Sequence, residues 1–134
     1  MSLTIEQRTV EGITILDLKG RLIVGDGVAA LREAVRALAQ AGHVNIILNL
    51  HGVDYIDSTG LGSLVVCFTS LQRAGGALKI LNLSKRNIEL LVLTKLSTVF
   101  EIFNDEQDAI NSFFPDREIK HFDILDFVQG QRQE

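Results

Sequence analysis

The sequence predicts a single α/β domain built around a mixed sheet of about five strands. Two patterns support this prediction. After residue 27, strand-like apolar segments alternate with amphipathic helical segments, which is typical of parallel strands joined by right-handed crossovers. Before residue 20, two extended segments flank the turn signal Glu11–Gly12 and indicate a β-hairpin. The chain has 134 residues, 46% of them hydrophobic, which is enough for one domain with a substantial core.

The first half of the chain supplies the hairpin, one helix and one buried strand. Leu3, Ile5 and residues 8–10 begin the hairpin, and Gly20 is predicted to end its second strand. The first helix is predicted from apolar residues at helical spacing, with Asp26 as its N-cap and Gly42 as its stop. These apolar residues are Val28, Leu31, Val35 and Leu38. The nearly continuous apolar run 44–50 is typical of a central strand that is covered on both faces.

The second half repeats the alternation of helix and strand. A helix follows residue 57 and ends at Gly75–Gly76, and a short strand covers residues 77–81. Ser84 is predicted to cap the next helix, and residues 99–103 are predicted to form the last strand. Asp105–Glu106 begin a short final helix, because acidic residues favour a helix N-terminus. The predicted order is therefore β-β-α-β-α-β-α-β-α.

Residues 57–64, with the sequence DSTGLGSL, break a local rule. They open an apolar helix, and Ser58 and Thr59 are good N-cap residues. Gly60 and Gly62 nevertheless stand in the first turns, although glycine in a helix interior costs about 1 kcal/mol relative to alanine. Such breaks tend to mark functional or closely packed sites. An exposed hydroxyl beside the carboxylate of Asp57 suggests a switch.

Composition excludes several classes of function. The net charge is −4 and the basic residues form no block, which argues against binding nucleic acid or an acidic membrane surface. The apolar runs are shorter than a membrane span and the N-terminus has no signal-peptide pattern, so we expect a cytoplasmic protein without direct membrane insertion. Cys67 has no partner and is predicted to be a buried small hydrophobe. His43 and His51 lack metal-ligand spacing, and we expect neither a metal site nor a cofactor.

The motif from Asp57 to Gly62 resembles that of the STAS domain family, which includes sulfate transporters and anti-sigma factor antagonists. Residues 46–50, Gly75–Gly76 with residues 78–80, and residues 18–22 are also similar to the family pattern, and the resemblance covers about residues 2–114. The bacterial anti-anti-sigma factors are the most similar group. The resemblance implies a STAS domain over residues 1–114, with its helices packed mainly on one face of the sheet.

The resemblance also implies a function. In the family, a serine directly after the motif aspartate is phosphorylated by a partner serine-protein kinase that also sequesters a sigma factor. The unphosphorylated protein binds that anti-sigma factor, and a PP2C-type phosphatase resets the switch. On this sequence the acceptor is Ser58, and the protein itself is not an enzyme. The partner-binding switch loop would comprise Asp57, Thr59, Gly60, Leu61, Gly62, Arg21 and Asp26. Arg21 stands where relatives often carry an acidic residue, and its loop is one residue longer, so partner specificity stays open.

Three alternatives stand beside this interpretation. In the first alternative, Ser58 is an ordinary helix N-cap. That role does not explain why Asp57, Gly60 and Gly62 occur together with it. In the second, the domain is a scaffold or regulatory subunit of a transporter or signalling complex, without sigma-factor control. The third, a hydrolase, requires a histidine beside Ser58, for which His51 is the candidate, and the sequence has no G-x-S-x-G motif.

Residues 115–134 extend beyond the predicted domain. Pro115 marks the boundary, and the segment after it is richer in apolar residues than a flexible linker. These residues are Ile119, Phe122, Ile124, Leu125, Phe127 and Val128. We expect the extension to pack on its own domain or at the interface of a homodimer.

Overall fold

The computed structural model describes residues 3–119, and its elements follow the predicted order. Among these residues, one 3₁₀ turn, Leu96–Thr98, lies between the third helix and the fifth strand. The strands are β1 (Thr4–Val10), β2 (Ile13–Leu22), β3 (Asn45–Ile56), β4 (Ala77–Leu81) and β5 (Ile102–Phe103). The helices are α1 (Asp26–Gln40), α2 (Ser58–Arg73), α3 (Lys85–Leu93) and α4 (Glu106–Asn111).

The five strands form one mixed sheet in the order β1-β2-β3-β4-β5. Strands β1 and β2 are antiparallel, and every later neighbouring pair is parallel. Each parallel strand is added on the same side of the previous one. Right-handed crossovers therefore place α1, α2 and α3 on one face of the sheet. This confirms the mixed sheet of five strands and the helices mainly on one face.

Both faces of the sheet are apolar. The larger core lies between the sheet and helices α1–α3 and includes Ile46, Leu48 and Leu50 of β3. The smaller core lies under α4 and contains Ile47 of the same strand. Alternate β3 side chains thus enter different cores, which explains the nearly continuous apolar run. Cys67 is buried as predicted, and burial raises the pKa of its thiol to about 11.

Three strands differ in length from the prediction, and a bulge near the carboxyl-terminal ends of β2 and β3 explains the first two differences. Gly20 lies inside β2, which continues to Leu22, and the register with β3 shifts between Gly20 and Arg21. Strand β3 likewise runs on to Ile56 instead of ending near Leu50. A bulge bends a strand without ending it, so polar residues beyond the apolar run still pair. The last strand is shorter than predicted and comprises Ile102–Phe103 alone.

Helix caps agree with the sequence at two helices and differ at α1. Ser84 caps α3 through its side chain, as predicted. Asp105, predicted to begin the last helix with Glu106, caps α4 through its side chain. The prediction that Asp26 caps α1 is wrong, since Gly25 holds the cap position with φ 128° and no side chain caps the helix. A glycine-favoured conformation precedes the helix, so Asp26 is already its first helical residue.

The chain after α4 turns beneath the sheet beside the β1–β2 turn. Phe113 and Phe114 pack against the smaller core. Arg117 pairs with Glu11 of the turn at 2.8 Å, and its guanidinium lies 4.0 Å from the centre of the Phe114 ring. The predicted packing of the later apolar residues, from Phe122 onward, falls outside the described residues.

Replacing Lys95 with glycine should raise the free energy of unfolding by about 0.5–1 kcal/mol. Lys95 is exposed and follows α3 with φ 63° and ψ 16°, a left-handed conformation that strains a side chain. Urea denaturation measures the change. Lys95→Ala is the matched control, because it removes the lysine side chain but keeps the strain. Equal stabilisation by both variants would contradict the explanation.

Candidate functional site

The carboxyl-terminal ends of β2 and β3 bring two loops together. Leu22 and Ile56 are paired in the last step of the β2–β3 register. The loop after β2 therefore lies against the start of α2. Asp57 joins the two segments, since its backbone N–H donates to the carbonyl oxygen of Leu22 at 3.2 Å.

Asp57 is the N-cap of α2. Its backbone is extended (φ −92°, ψ −177°), and its Oδ1 accepts a hydrogen bond from the Gly60 N–H at 2.7 Å. Its Oδ2 accepts from the Val24 N–H at 3.0 Å, across 33 residues of sequence. The bond from Val24, and next the bond from Gly60, lower the pKa of this carboxyl. The carboxylate therefore fixes the β2–α1 loop to the start of α2.

Ser58 and Thr59, which the sequence offered as candidate N-cap residues, do not cap α2. Both residues already have helical backbone, because the capping position lies one residue earlier at Asp57. Ser58 is exposed, and its hydroxyl makes no hydrogen bond within residues 3–119. The alternative in which Ser58 is only a helix cap is therefore excluded. The Ser58 hydroxyl therefore lies at the first helical position of α2 and makes no hydrogen bond that would stabilise the described fold.

The two glycines of the motif have different surroundings. A Cβ atom on Gly60 would lie 1.9 Å from the carbonyl oxygen of Leu22, so no side chain fits there. A Cβ atom on Gly62 would meet nothing within 4 Å, and Gly62 is exposed. Close packing of α2 on β2 thus explains Gly60. It does not explain Gly62.

Helix α2 presents one exposed strip next to the buried one. Ser58, Thr59, Gly62 and Val66 are exposed and share one side of the helix; we call them the outer strip of α2. Leu61 belongs to the other side, where only 8% of it is exposed, and packs in the larger core. The predicted partner-binding role of Leu61 therefore conflicts with its burial. Its side chain holds α2 on the sheet.

Four further side chains lie at the same end of the sheet as the start of α2. Arg21 is exposed and paired in register with Tyr55 of β3. The guanidinium of Arg86 lies 4.6 Å from the centre of the Tyr55 ring. Val24, two residues after the end of β2, has 68% of its surface exposed. Val24 and Tyr55 are not among the site residues predicted from the sequence. Val24 follows the apolar Leu22 and Ile23, so no local pattern distinguishes it from a strand residue.

Other predicted site residues lie farther from Ser58 or make no contact with it. Asp26 is exposed at the start of α1, and its predicted role in partner binding stays a prediction. His51 is exposed, and β3 continues five residues beyond it to Ile56, a distance of roughly 16 Å at 3.3 Å per residue. No histidine in residues 3–119 hydrogen-bonds to Ser58, so the hydrolase alternative gains no support.

Two other kinds of site are absent from the described residues. Within residues 3–119, no three histidine, cysteine or acidic side chains come together as metal ligands would. Nor does any helix in that range combine the length and the apolar character that a membrane-crossing helix needs.

Known proteins are similar to this chain in sequence or in fold. A Bacillus subtilis (strain 168) protein named anti-sigma-B factor antagonist is 33% identical over 102 residues, covering 76% of this chain and 92% of its own. An anti-sigma factor antagonist from Mycobacterium paratuberculosis has a similar crystal structure (TM-score 0.70, 20% identity, 83% of this chain and 93% of that one). The Bacillus cell fate determinant SpoIIAA in its phosphorylated form is also similar (TM-score 0.65, 20% identity, 82% and 99%).

At 20% identity, the two solved structures establish the likeness of the fold alone. The family assignment comes from the sequence. The family model described as STAS domain matches residues 4–109, which is most of the chain. The matched region contains the whole sheet, the Asp57 cap and the exposed Ser58. The chain belongs to the STAS domain family.

Proposed function

We propose that this protein is an anti-sigma factor antagonist. It binds an anti-sigma factor through the surface around Ser58, and the bound anti-sigma factor releases its sigma factor. The relatives named anti-sigma-B factor antagonists support this role, since they match over nearly their whole length. A protein that acts on sigma-factor control works in the cytoplasm, and it needs neither catalysis nor a cofactor of its own.

One structural observation supports Ser58 as the residue that is phosphorylated. Asp57 occupies the N-cap, so the Ser58 hydroxyl is exposed and unused by the fold. A hydroxyl in that position is accessible to a kinase active site without local unfolding. Exposed Thr59 and Gly62 share its side of α2, and exposed Tyr55 lies near the end of β3 that leads into α2, so a surface of mixed polarity is available for a partner.

The anti-sigma factor is also the kinase in this proposal. It transfers the γ-phosphoryl group of ATP to Ser58: the Oγ–P bond forms, the bond to the β,γ-bridging oxygen breaks, and ADP leaves while the hydroxyl proton is lost. A PP2C-type phosphatase hydrolyses the phosphoserine and restores the hydroxyl. The phosphate adds about −1.5 to −2 charges at the surface.

The fold should tolerate this charge. A helix N-terminus stabilises an anion through its dipole and its unpaired N–H groups, while the neighbouring Asp57 carboxylate opposes it. The effect on binding is larger, because a docked partner would have to remove water from a dianion. Phosphorylation would therefore end binding and leave the domain folded.

Phosphorylation mapping tests the proposal. The protein is incubated with ATP and the serine kinase encoded beside its own gene, and the modified residue is located by mass spectrometry. We expect one phosphate on Ser58, its loss in Ser58→Ala, and its retention in Thr59→Ala, the matched control. Modification of Thr59 alone would overturn the site. Binding without any phosphorylation would favour the scaffold or transporter-subunit alternative.

A further inference from the structure

Strand β1 forms one edge of the sheet, because β2 is its only neighbour among the described strands. It has seven residues with the sequence TIEQRTV, none of them fully buried, and it pairs with β2 without interruption. Exposed edge strands commonly carry proline, lysine or a bulge, which prevents them from pairing with another chain. Strand β1 carries none of these three features. Its outer edge is therefore able to accept a further strand.

The tight β1–β2 turn determines which backbone groups of β1 face outward. The turn consists of Glu11–Gly12, both with positive φ, so the flanking residues Val10 and Ile13 form a hydrogen-bonded pair. Hydrogen-bonded and non-hydrogen-bonded pairs alternate along an antiparallel ladder. Every second residue of β1 therefore directs its N–H and C=O away from β2, and these groups make no hydrogen bond within residues 3–119. The residues with outward groups are Ile5, Gln7 and Thr9.

The two charged residues of β1 lie on one face of the sheet, the face that α4 covers in part. Arg8 donates hydrogen bonds to Asp17 and to Glu106 of α4, and these use four of the five N–H groups of its guanidinium. Glu6 shares this face, since alternate strand residues point the same way. It lies opposite Asp17 in the β1–β2 register and makes no ion pair within the described residues. Each chain thus offers one unpaired carboxylate and one free guanidinium N–H two residues apart.

These charges favour one register for the antiparallel pairing of two copies of β1. Residues with outward backbone groups must pair with one another, so the possible two-fold axes pass through individual residues of the strand. The register centred on Gln7 pairs the whole strand and places Glu6 opposite the partner's Arg8, which is favourable. The neighbouring registers are centred on Glu6 or on Arg8, and they place two glutamates or two arginines directly opposite each other. Like charges in that position are destabilising.

We infer that β1 pairs with β1 of a second copy of this chain, in the antiparallel register centred on Gln7. The two sheets of five strands then form one continuous sheet of ten. Each residue with outward groups exchanges two backbone hydrogen bonds with the residue opposite it. Assembly stops at two copies, because the two-fold axis uses both β1 edges and the other edge strand, β5, has only two residues. The inference does not rest on the proposed function, because β1 contains no residue of the surface around Ser58.

Sedimentation equilibrium of the full-length chain over a range of protein concentrations tests for the dimer. We expect the mass to rise with concentration from 14.8 kDa to twice that value. Glu6→Lys should raise the dissociation constant of the dimer at least about 10-fold, because it places a lysine opposite the partner's Arg8. Glu6→Gln, the matched control without charge, should raise it less, and circular dichroism verifies that both variants are folded. A monomer at every concentration, or equal dimerisation of Glu6→Lys and the parent, would overturn the inference.

Disulfide trapping tests the register. Gln7→Cys places two thiols at the two-fold axis, where a Cα–Cα distance of about 5.5 Å suits a disulfide. Thr9→Cys is the matched control, because Thr9 is also exposed but lies opposite Ile5, roughly 13 Å along the strand from its own copy. Buried Cys67 does not interfere, since burial raises the pKa of its thiol to about 11. We expect Gln7→Cys to form the cross-linked dimer at least about 10-fold faster under mild oxidation; equal rates would contradict the register.

Amide hydrogen exchange of the full-length chain separates a second copy from other occupants of the β1 edge. The outward amides of Ile5, Gln7 and Thr9 should be protected in the dimer and exchange at least about 10-fold faster once dilution has produced the monomer. The amides of Glu6 and Arg8, which bond to β2 in both states, are the internal control and should change much less. Protection of the outward amides that does not depend on protein concentration would assign the edge to another segment of the same chain and overturn the inference.

Discussion

Replacing Ser58 with aspartate should weaken binding to the anti-sigma factor about 100-fold or more, which corresponds to about 3 kcal/mol. Ser58 is exposed at the first position of α2, and its hydroxyl is not used by the fold. A carboxylate at this position loses its water when a partner docks, and a surface that has evolved to receive a hydroxyl offers no matching cation. Isothermal titration calorimetry with the purified anti-sigma factor measures the change.

Ser58→Asn is the matched control for this prediction, because asparagine has the size of aspartate without its charge. We expect Ser58→Asn to bind within about 10-fold of the unmodified protein, since a neutral amide is less costly to desolvate than a charge. The thermal midpoint of Ser58→Asp should stay close to that of the parent, as an anion is tolerated at a helix N-terminus. Equal affinities of the aspartate and asparagine variants would contradict the electrostatic switch.

Alanine at Gly60 and alanine at Gly62 should change stability in opposite directions. Gly60→Ala should lower the free energy of unfolding by about 1–3 kcal/mol, because its Cβ meets backbone and not a movable side chain. That backbone is the carbonyl group of Leu22, whose oxygen would lie 1.9 Å away and whose carbon 2.8 Å away. Strand β2 and helix α2 would have to separate, straining the hydrogen bond from Asp57 N–H to the same carbonyl.

Gly62→Ala should raise the free energy of unfolding by about 1 kcal/mol, since alanine is the better helix former and the site has space. Each variant serves as the control for the other, because both make the same substitution in the same helical turn. Urea denaturation, monitored by circular dichroism, measures both changes in the free energy of unfolding. If both variants lost stability, the two glycines would share a packing role. A loss of partner binding by the stabilised Gly62→Ala variant would place Gly62 in the interface.

Sequence patterns predicted the elements well where apolar periodicity was strong. The run at residues 44–50 indicated a strand covered on both faces, and β3 sends Ile46 to one core and Ile47 to the other. Polar and bulged segments were predicted less well. Strand β3 continues to Ile56 because β2 pairs with it there, and no local pattern reports such pairing. Asp57 instead of Ser58 caps α2 for a similar reason, since its second carboxylate oxygen binds the distant Val24 N–H.

The sequence by itself determined the α/β class, the order of the elements, the STAS resemblance and the position of the motif at the start of a helix. These features depend on residue periodicity and on neighbours in the chain. Only the tertiary structure decided what each motif residue does. In the folded chain Asp57 caps α2 and Leu61 is buried. Gly60 lies against the Leu22 carbonyl, where no side chain fits, whereas Ser58 and Gly62 are exposed. The physical reason is that each role depends on contacts between β2 and α2, whose residues are more than thirty positions apart in the chain.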